Sequence, residues 1–364
     1  MQADLDEYNV LCVAGFGQLR DGTVSRAKLE THLDPIELAA VQCTYIAPNP
    51  LTRESGRTDI RGVQTSLFRP IRQAAQLLAT LRLARSKDYD VIVGFSLLPY
   101  GLMALCGRAV SGTPAHLGII GMDLDVHSRS WYGPVINWLF RRFDTVSVAG
   151  TDYQHRLASN GVSADRIFEV THPVHRRFAE ATPIDSPEID LLWIGRFSEE
   201  KDPIRFVRIV ERLADRGVYC RATMVGDGPL RPAVESSIAD ADLQETIDLT
   251  GWVTDPVDVY RNSRLVVLTS TREMLPLSVV EAMHVGVPPI APRIGGLPDL
   301  IESGETGVLV SDRNPETYVD VIIDLLADES HRQSIAQETQ RIHQTQSPRA
   351  VARSWIAVFA QSSE

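Results

Sequence analysis

Cysteine is scarce in this sequence, with four residues among 364: Cys12, Cys43, Cys106 and Cys220. Their spacing matches neither a disulfide framework nor a zinc site, which predicts reduced and mostly buried thiols. No apolar run approaches the ~20 residues that a membrane-spanning helix requires. The first residues, Met-Gln-Ala-Asp-Leu-Asp-Glu, lack the basic start and apolar core of a signal peptide. Together these absences predict a cytoplasmic protein.

Basic residues are outnumbered as well: 36 Lys and Arg stand against 47 Asp and Glu, giving a net charge of −11. A general nucleic-acid binder needs a basic surface to neutralise phosphates, so nucleic acid is excluded as the partner. The 44% hydrophobic and 23% charged residues are ordinary for a globular protein. A chain of 364 residues exceeds the usual size of one hydrophobic core, which predicts two domains.

Short apolar runs alternate with helical patterns along almost the whole chain, which predicts parallel sheets covered by helices on both faces. The alternation restarts after a proline-containing polar stretch, 179–188, which we interpret as a linker. We therefore predict an α/β fold of two doubly wound Rossmann-like domains, 1–178 and 189–345, facing across a cleft. The terminal helix within 346–364 is expected to pack back on the first domain.

Two cations, Arg196 and Lys201, follow the strand predicted at 189–195. Cations in this position are ordinarily solvated surface residues. A departing diphosphate, however, accumulates negative charge, and fixed cations stabilise that transition state more than the ground state. A guanidinium can hold two phosphate oxygens, while an ammonium supplies a point charge.

Two carboxylates, Glu273 and Glu281, bracket the start of a helix predicted at about 277–285. Pro276 disfavours helix at the residue before it, so Glu273 is expected in the preceding loop. Ser278 and Glu281 fit a capping box, which would give Glu281 a purely structural role.

The second half has a series of short motifs. Their order along the chain identifies a protein family more specifically than any one of the motifs does. The motifs are Gly195-Arg196-Phe197 with Lys201, Val225-Gly226-Asp227-Gly228-Pro229, Gly251-Trp252-Val253, Glu273 with Glu281-Ala282-Met283, Val285-Gly286-Val287-Pro288, Gly295-Gly296-Leu297-Pro298-Asp299 and Gly304-Glu305-Thr306-Gly307. Over 189–327 this series resembles the nucleotide-sugar domain of the retaining glycosyltransferases of family 4 (glycosyl transferases group 1), which have the GT-B fold.

The resemblance implies that Arg196, Lys201 and Glu273 are catalytic. The two cations would bind the donor diphosphate, and Glu273 would accept hydrogen bonds from the hydroxyls of the donor sugar. Glu281 would hold the ribose hydroxyls in the same way. The resemblance implies no metal or other cofactor, and the cations would take its place.

Further donor contacts implied by the resemblance involve mainly the backbone. The N–H groups of Leu277 and Ser278 at the start of the helix would bind phosphate. Val253 lies where the family holds the nucleotide base. Gly15 and Gly17, after the first strand, would let the backbone approach the diphosphate, although a plain turn explains them equally well.

The first half resembles the family's acceptor domain less closely. Asp123 matches the aspartate of a Gly-x-Asp segment and is a further candidate for the donor site. Many relatives have a histidine where this chain has Ile120, and His116 and His127 lie nearby without being aligned. In the second half, 274–276 is Met-Leu-Pro where Gly-Phe-Gly is more usual, which preserves the spacing and would only reshape the sugar pocket.

The resemblance implies a hexosyltransferase that moves a sugar from a nucleoside-diphosphate sugar to an acceptor hydroxyl with retained anomeric configuration. The expected partners are this donor and a glycan acceptor, either lipid-linked or part of the cell envelope. One alternative is a nucleotide-sugar epimerase or hydrolase of the same fold. Another is a non-catalytic partner that binds a nucleotide sugar.

The segment 53–87 is basic, with eight Lys and Arg residues against two acidic ones. Its helical part is amphipathic, with Ile71, Leu78 and other apolar residues near helical spacing. A packed helix with a solvated charged face is one interpretation. The other is peripheral contact with anionic lipid on the inner face of the membrane, which would bring the protein to a lipid-linked acceptor.

Overall fold

The computed structural model describes residues 8–14, 26–40, 42–47, 58–62, 69–86, 88–119 and 121–363. The chain divides into two compact units. The first comprises Met1–Pro173 and Gln346–Glu364, and the second comprises Val174–Thr345.

The first unit is built, over its described residues, on seven strands: β1 (Asn9–Val13), β2 (Gln42–Ala47), β3 (Thr58–Gly62), β4 (Val91–Phe95), β5 (Ala115–Gly118), β6 (Thr145–Val148) and β7 (Ile167–Glu169). Its helices before residue 173 are α1 (Arg26–Ala39), α2 (Arg69–Ser86), α3 (Leu102–Ser111), α4 (Gly133–Phe140) and α5 (Thr151–Ser159). The strands form one parallel sheet of order β3-β2-β1-β4-β5-β6-β7. Strand β4 is buried along its whole length, as expected of a strand covered on both faces.

The second unit has six strands: β8 (Ile189–Ile194), β9 (Ala222–Val225), β10 (Ile247–Gly251), β11 (Ser263–Val267), β12 (Pro289–Pro292) and β13 (Val308–Val310). Its helices are α6 (Arg176–Ala179), α7 (Pro203–Asp215), α8 (Arg231–Asp240), α9 (Val257–Arg261), α10 (Leu277–Val285), α11 (Leu297–Leu300), α12 (Pro315–Ala327), α13 (Glu329–Thr339) and α14 (Ile342–Thr345). The strands again form one parallel sheet, in the order β10-β9-β8-β11-β12-β13. The predicted α/β class with two doubly wound parallel sheets is confirmed.

The strand order of the second sheet indicates where the second unit can bind a ligand. In the second sheet the chain leaves β8 towards β9 and β10, but leaves β11 towards β12 and β13. The loops that follow β8 and β11 therefore diverge, and open a crevice at the carboxyl ends of two adjacent strands. Residues 195–202 and 268–276 form these two loops, so the three predicted catalytic residues, Arg196, Lys201 and Glu273, lie at this switch point.

Several elements were not predicted. Strand β3 has Thr-Asp-Ile-Arg-Gly and therefore only one large apolar residue, because an edge strand needs no continuous apolar run. Helix α1 has an internal proline, Pro35, which weakens its helical pattern. Residues 174–188, which include the predicted linker, lie in the second unit, where Val174 and Phe178 are buried in its core.

The last helix of the chain, α15 (Pro348–Ser363), lies in the first unit. Its Trp355 ring packs edge-on against Phe95 of β4, with centroids 5.8 Å apart. Phe359 and Val358 are fully buried in the same core. The hydrophobic core of the first unit is thus completed by residues from both ends of the chain.

Candidate active site

Lys201 and Glu273 form an ion pair across the switch point of the second sheet. Lys201 Nζ lies 2.5 Å from Glu273 Oε1, and Ser270 Oγ donates to the same oxygen at 2.6 Å. The Glu273 side chain is 9% exposed and that of Lys201 25%. The structure therefore brings two of the three predicted catalytic residues together, and Glu273 lies in a loop, as the position of Pro276 predicted.

The two loops are held to each other by hydrogen bonds. The backbone N–H of Thr271 donates to the Glu200 carbonyl at 2.8 Å. The buried Thr269 hydroxyl lies 2.9 Å from the carbonyl oxygens of Lys201 and Asp202 and accepts from the indole N–H of Trp193 at 2.9 Å. These contacts fix the backbone on both sides of the ion pair.

Arg196, the third predicted catalytic residue, is exposed and makes no ion pair with the described residues. The charge of Arg196 nevertheless affects the pKa of Glu200. Burial alone would raise the pKa of Glu200, but hydrogen bonds from its own backbone N–H and Ser198, with the charges of Arg272 and Arg196, lower it. Arg272 thus joins the cations of the site. The sequence analysis gave it no role, although it directly precedes Glu273.

Gly295 supports the Glu273 loop directly. A Cβ at Gly295 would lie 1.7 Å from the Glu273 carbonyl oxygen, and its φ is +55°. The next residue, Gly296, donates its N–H to the Met274 carbonyl at 2.7 Å. The glycine pair forms a turn, as its sequence indicated, and the turn packs on the backbone that carries Glu273.

Gly295→Ala is expected to displace the Glu273 loop, lower catalytic turnover at least about tenfold and destabilise the unit by about 1–3 kcal/mol. Gly304→Ala is the matched control, because Gly304 has a φ of +91° but nothing within 4 Å of its Cβ position. It shares the backbone strain without the clash, so it should lower the melting temperature but leave turnover near normal. Equal turnover in both variants would contradict the proposed contact.

Helix α10 begins at Leu277 after Pro276, with no side-chain cap. Ser278 is therefore the second residue of the helix and not its N-cap, so the capping box considered for Ser278 and Glu281 is wrong. Glu281 instead accepts a hydrogen bond from the Tyr260 hydroxyl, with 2.8 Å between the oxygens. The first N–H groups of α10, those of Leu277 and Ser278, have no partner within the helix and can bind an anion.

The carboxyl group of Glu281 has an altered acidity. Desolvation raises its pKa to about 7, while the hydrogen bond from Tyr260 and the charge of Arg177 lower it and the charge of Asp255 raises it. Arg177 is held by Asp255, with 2.6 Å between Nη1 and Oδ2. Sequence reasoning missed these three neighbours of Glu281, because Tyr260 lies on α9, Asp255 in the loop before α9, and Arg177 ahead of the second sheet.

Tyr260→Phe is expected to raise the donor KM at pH 7 by about tenfold, since a hydrogen bond to a charged group contributes about 1.5 kcal/mol or more. Protonation of Glu281 removes the carboxylate that the ribose hydroxyls would use, so donor affinity should fall as the pH drops below about 7. Without the Tyr260 hydrogen bond the pKa of Glu281 rises. The pH below which donor affinity falls therefore moves to a higher value in Tyr260→Phe.

The control for this variant is Tyr318→Phe, which removes another buried hydroxyl, one that donates to the Leu268 carbonyl at 3.1 Å. It should lower stability without moving the pH profile. The measurement is donor KM from pH 5.5 to 8.5 in all three proteins. An unchanged profile in Tyr260→Phe would show that Tyr260 only packs.

The residue expected near the nucleotide base, Val253, follows β10 and is half-buried against a hydrophobic cluster of the second unit. The preceding Trp252 is 65% exposed. Strand β10 lies at the edge of the sheet, two positions from β8. Any base contact here would therefore lie to the side of the switch point.

Asp123 of the first unit is fully buried, and its carboxylate is already engaged. Oδ1 accepts from the Ser96 hydroxyl at 3.0 Å and from the Leu97 N–H at 3.1 Å. Asp123 thus holds the loop after β4, where Ser96 has a positive φ of 64°. The other first-half candidates, Gly15 and Gly17, lie outside the described residues.

His116 and His127, the two histidines near position 120, both make hydrogen bonds within the first unit, and position 120 itself lies outside the described residues. His116 is fully buried between the hydroxyls of Thr145 and Ser147, each 2.9 Å from a ring nitrogen. Burial lowers its pKa to about 3, so it stays neutral and serves the core. The His127 ring bonds the Tyr132 hydroxyl at 2.8 Å.

Among the described residues, no group of three or more His, Cys, Asp or Glu side chains is placed to hold a metal ion. No described helix has the length and apolar character needed to cross a membrane.

Two α/β units, each built on a parallel sheet, are characteristic of the GT-B class of folds. The chain superposes on the crystal structure of Anabaena Alr3699/HepE in complex with UDP and glucose with a TM-score of 0.77 and 16% identity, over 95% of this chain and 98% of that one. Residues 175–342 match the family model of the Glycosyl transferases group 1. The matched residues contain the candidate site.

Two curated relatives align with the chain. It is 30% identical over 186 residues to an alpha-D-kanosaminyltransferase of Streptomyces kanamyceticus, covering 50% of this chain and 47% of the relative. It is 24% identical over 235 residues to the putative colanic acid biosynthesis glycosyltransferase WcaL of Salmonella typhimurium, covering 60% and 57%. The matches thus span about half the length of these curated relatives.

Proposed function

We propose that this protein is a retaining glycosyltransferase that moves a sugar from a nucleoside-diphosphate sugar to an acceptor hydroxyl. The observation that carries the proposal is the Lys201–Glu273 ion pair at the switch point of the second sheet, 2.5 Å long and beside the open N-terminus of α10. A cation and a carboxylate are paired there, and the free backbone N–H groups at the start of α10 follow Glu273 four residues later in the chain. They match the diphosphate and the hydroxyls of one donor molecule.

In the proposed reaction, the bond between the anomeric carbon and the diphosphate oxygen breaks while the acceptor oxygen bonds the same carbon from the same face. The acceptor proton passes to a phosphate oxygen, so no protein nucleophile is needed. Arg196, Lys201 and the N–H groups of α10 stabilise the charge on the departing diphosphate. Glu273 holds the sugar hydroxyls, which fixes the anomeric carbon relative to the acceptor. These cations take the role that a divalent metal has in other transferases.

The donor is testable by melting temperature. A ligand that binds only the folded chain at 100 times its Kd stabilises it by about 2.7 kcal/mol, a shift of several degrees. UDP-, GDP- and ADP-sugars are compared, and the donor that raises the melting temperature is incubated with candidate acceptors. A new glycoside with retained configuration supports the proposal. An epimerised or free sugar as the sole product, or no response to any donor, would overturn it.

For the acceptor we propose a lipid-linked or cell-envelope glycan, reached by peripheral contact of the basic segment with anionic lipid. One face of α2 supports this: Ile71 is 47% and Leu78 67% exposed, and Arg82 and Arg85 continue the same face. The remaining cations of the segment, Arg53, Arg57, Arg61, Arg69 and Lys87, have side chains outside the described residues, and Arg72 is half-buried. Arg82→Glu with Arg85→Glu should weaken sedimentation with anionic vesicles, and unchanged sedimentation would contradict the contact.

A further inference from the structure

Helix α4 of the first unit exposes large apolar side chains on one side. Trp131, just before the helix, is 92% exposed, Val135 is 58% exposed and Trp138 is 45% exposed. Spacings of four and three residues place these side chains on one helical face, with exposed Pro134 between them. We define Trp131, Pro134, Val135 and Trp138 as the α4 face.

The core does not require this face. The opposite side of α4 is already packed, because Ile136 and Phe140 are buried to 3% and 0% exposure. Tyr132 is half-buried, and its hydroxyl bonds His127 at 2.8 Å. Trp131, Val135 and Trp138 therefore form an exposed apolar patch. Such a patch marks a surface of interaction.

The charged residues nearest the α4 face in sequence are all basic, and the acidic residues that flank them, Asp125 and Asp144, are paired with Arg156 and Arg108. From 126 to 143 the chain has Arg129, Arg141 and Arg142 and no acidic residue, although its net charge is −11. All three arginines are exposed. The Arg142 guanidinium lies over the Trp138 ring, 4.3 Å from its centroid. A cation and an indole thus share one edge of the patch.

We infer that the α4 face inserts into the headgroup region of an anionic lipid bilayer. Tryptophan has an apolar ring and a polar N–H, a combination that favours the boundary between headgroups and acyl chains. The flanking arginines would meet the lipid phosphates, each strengthening binding about fivefold if it contributes about 1 kcal/mol. The α4 face consists of apolar side chains and lacks the converging polar groups that would hold a free glycan.

The α4 face lies on a different element from the basic α2 surface, and its contact with lipid does not depend on the transfer reaction. The two surfaces also differ in what they predict. Contact through arginines alone is lost at high salt, whereas inserted tryptophans persist in salt and change their fluorescence.

The experiment uses the full chain and vesicles of phosphatidylcholine with 30% phosphatidylglycerol, a composition chosen for the test. Trp131→Ser with Trp138→Ser is expected to weaken sedimentation with these vesicles at least about tenfold, from the lost apolar burial. Tyr219→Ser is the matched control, since Tyr219 is an 86% exposed aromatic residue of the second unit. It should bind like the unmodified chain.

Fluorescence supplies an independent measurement. Of the other three tryptophans, Trp193 and Trp355 are buried to 1% and 3% exposure, so their emission should not respond to lipid. Trp252 is 65% exposed but is present in both the unmodified chain and the variant, so its emission contributes equally to the two measurements. The unmodified chain should shift its emission to shorter wavelength with vesicles and be quenched by brominated lipids. Both effects should be absent in the Trp131→Ser, Trp138→Ser variant, which the melting temperature must first show to be folded.

The charge contribution is tested with Arg141→Glu and Arg142→Glu together. Arg208→Glu with Arg353→Glu is the control, because both residues are exposed and lie on other elements, α7 and α15. The first variant should weaken binding more than about 25-fold and the second only slightly. Binding that is abolished by 0.5 M NaCl without any shift of tryptophan emission would overturn the insertion. So would a concentration-dependent dimer that disappears in the tryptophan variant while vesicle binding is unchanged.

Discussion

Arg196→Ala is expected to lower turnover at saturating donor by about 10²- to 10³-fold, the usual cost of removing one preorganised group that stabilises developing charge. The exposed guanidinium makes no ion pair with the described residues, so its charge is available to a diphosphate. Because the charge on the leaving group grows as the glycosidic bond breaks, the loss should fall mainly on kcat.

Two further variants make this prediction specific. Arg196→Lys keeps the charge but not the two-point grip on phosphate, and should recover only part of the activity. Arg208→Ala removes an exposed arginine of α7 and should have turnover near that of the unmodified chain. Steady-state rates with the donor identified by melting temperature provide the measurement. Near-normal turnover in Arg196→Ala would refute the assignment.

The sequence predicted the second unit well, because the residues that indicate its strands, helices and site lie close together in the chain. Arg196, Lys201 and Glu273 lie in loops that directly follow predicted strands, and Pro276 alone placed Glu273 before the helix. The bounds predicted for α10, about 277–285, agree with the structure, in which the helix begins directly after Pro276.

Contacts between distant segments could not be predicted in this way. Tyr260 reaches Glu281 across 21 positions of sequence, and nothing in its own neighbourhood indicates a polar partner. Gly295 carried a turn signal, but its approach to the Glu273 carbonyl follows from how β12 and β11 lie side by side. Such residues shape the site through packing, and their patterns are those of ordinary core and turn residues.

The first unit was harder to interpret for a different reason. Asp123 has the position expected of a ligand-binding residue, yet its carboxylate is buried and bonds Ser96 and Leu97. A motif match identifies the residue but not whether its hydrogen bonds are already used inside the protein. His116 illustrates the same limit, because two hydroxyls occupy both of its ring nitrogens.

Glu273→Ala is expected to lower turnover by about 10²- to 10³-fold, and Glu273→Gln by about 10- to 100-fold. The carboxylate can accept two hydrogen bonds from sugar hydroxyls, and bonds to a charged group contribute about 1.5–3 kcal/mol each. Glutamine keeps one acceptor and the shape of the side chain, which explains the smaller loss. Alanine also leaves Lys201 without its partner at 2.5 Å, so the ammonium is no longer held in place.

Binding of the nucleoside diphosphate alone separates this role from a general loss of structure. Because Glu273 is assigned to the sugar, the inhibition constant of the nucleoside diphosphate should stay within about threefold in Glu273→Gln, while turnover of the intact donor falls. A double variant with Lys201→Met tests the ion pair. If Lys201 and Glu273 act as one unit, their combined loss will be smaller than the product of the single losses. Multiplicative losses would mean that each contacts the donor independently, and near-normal turnover in Glu273→Ala would remove the carboxylate from the site altogether.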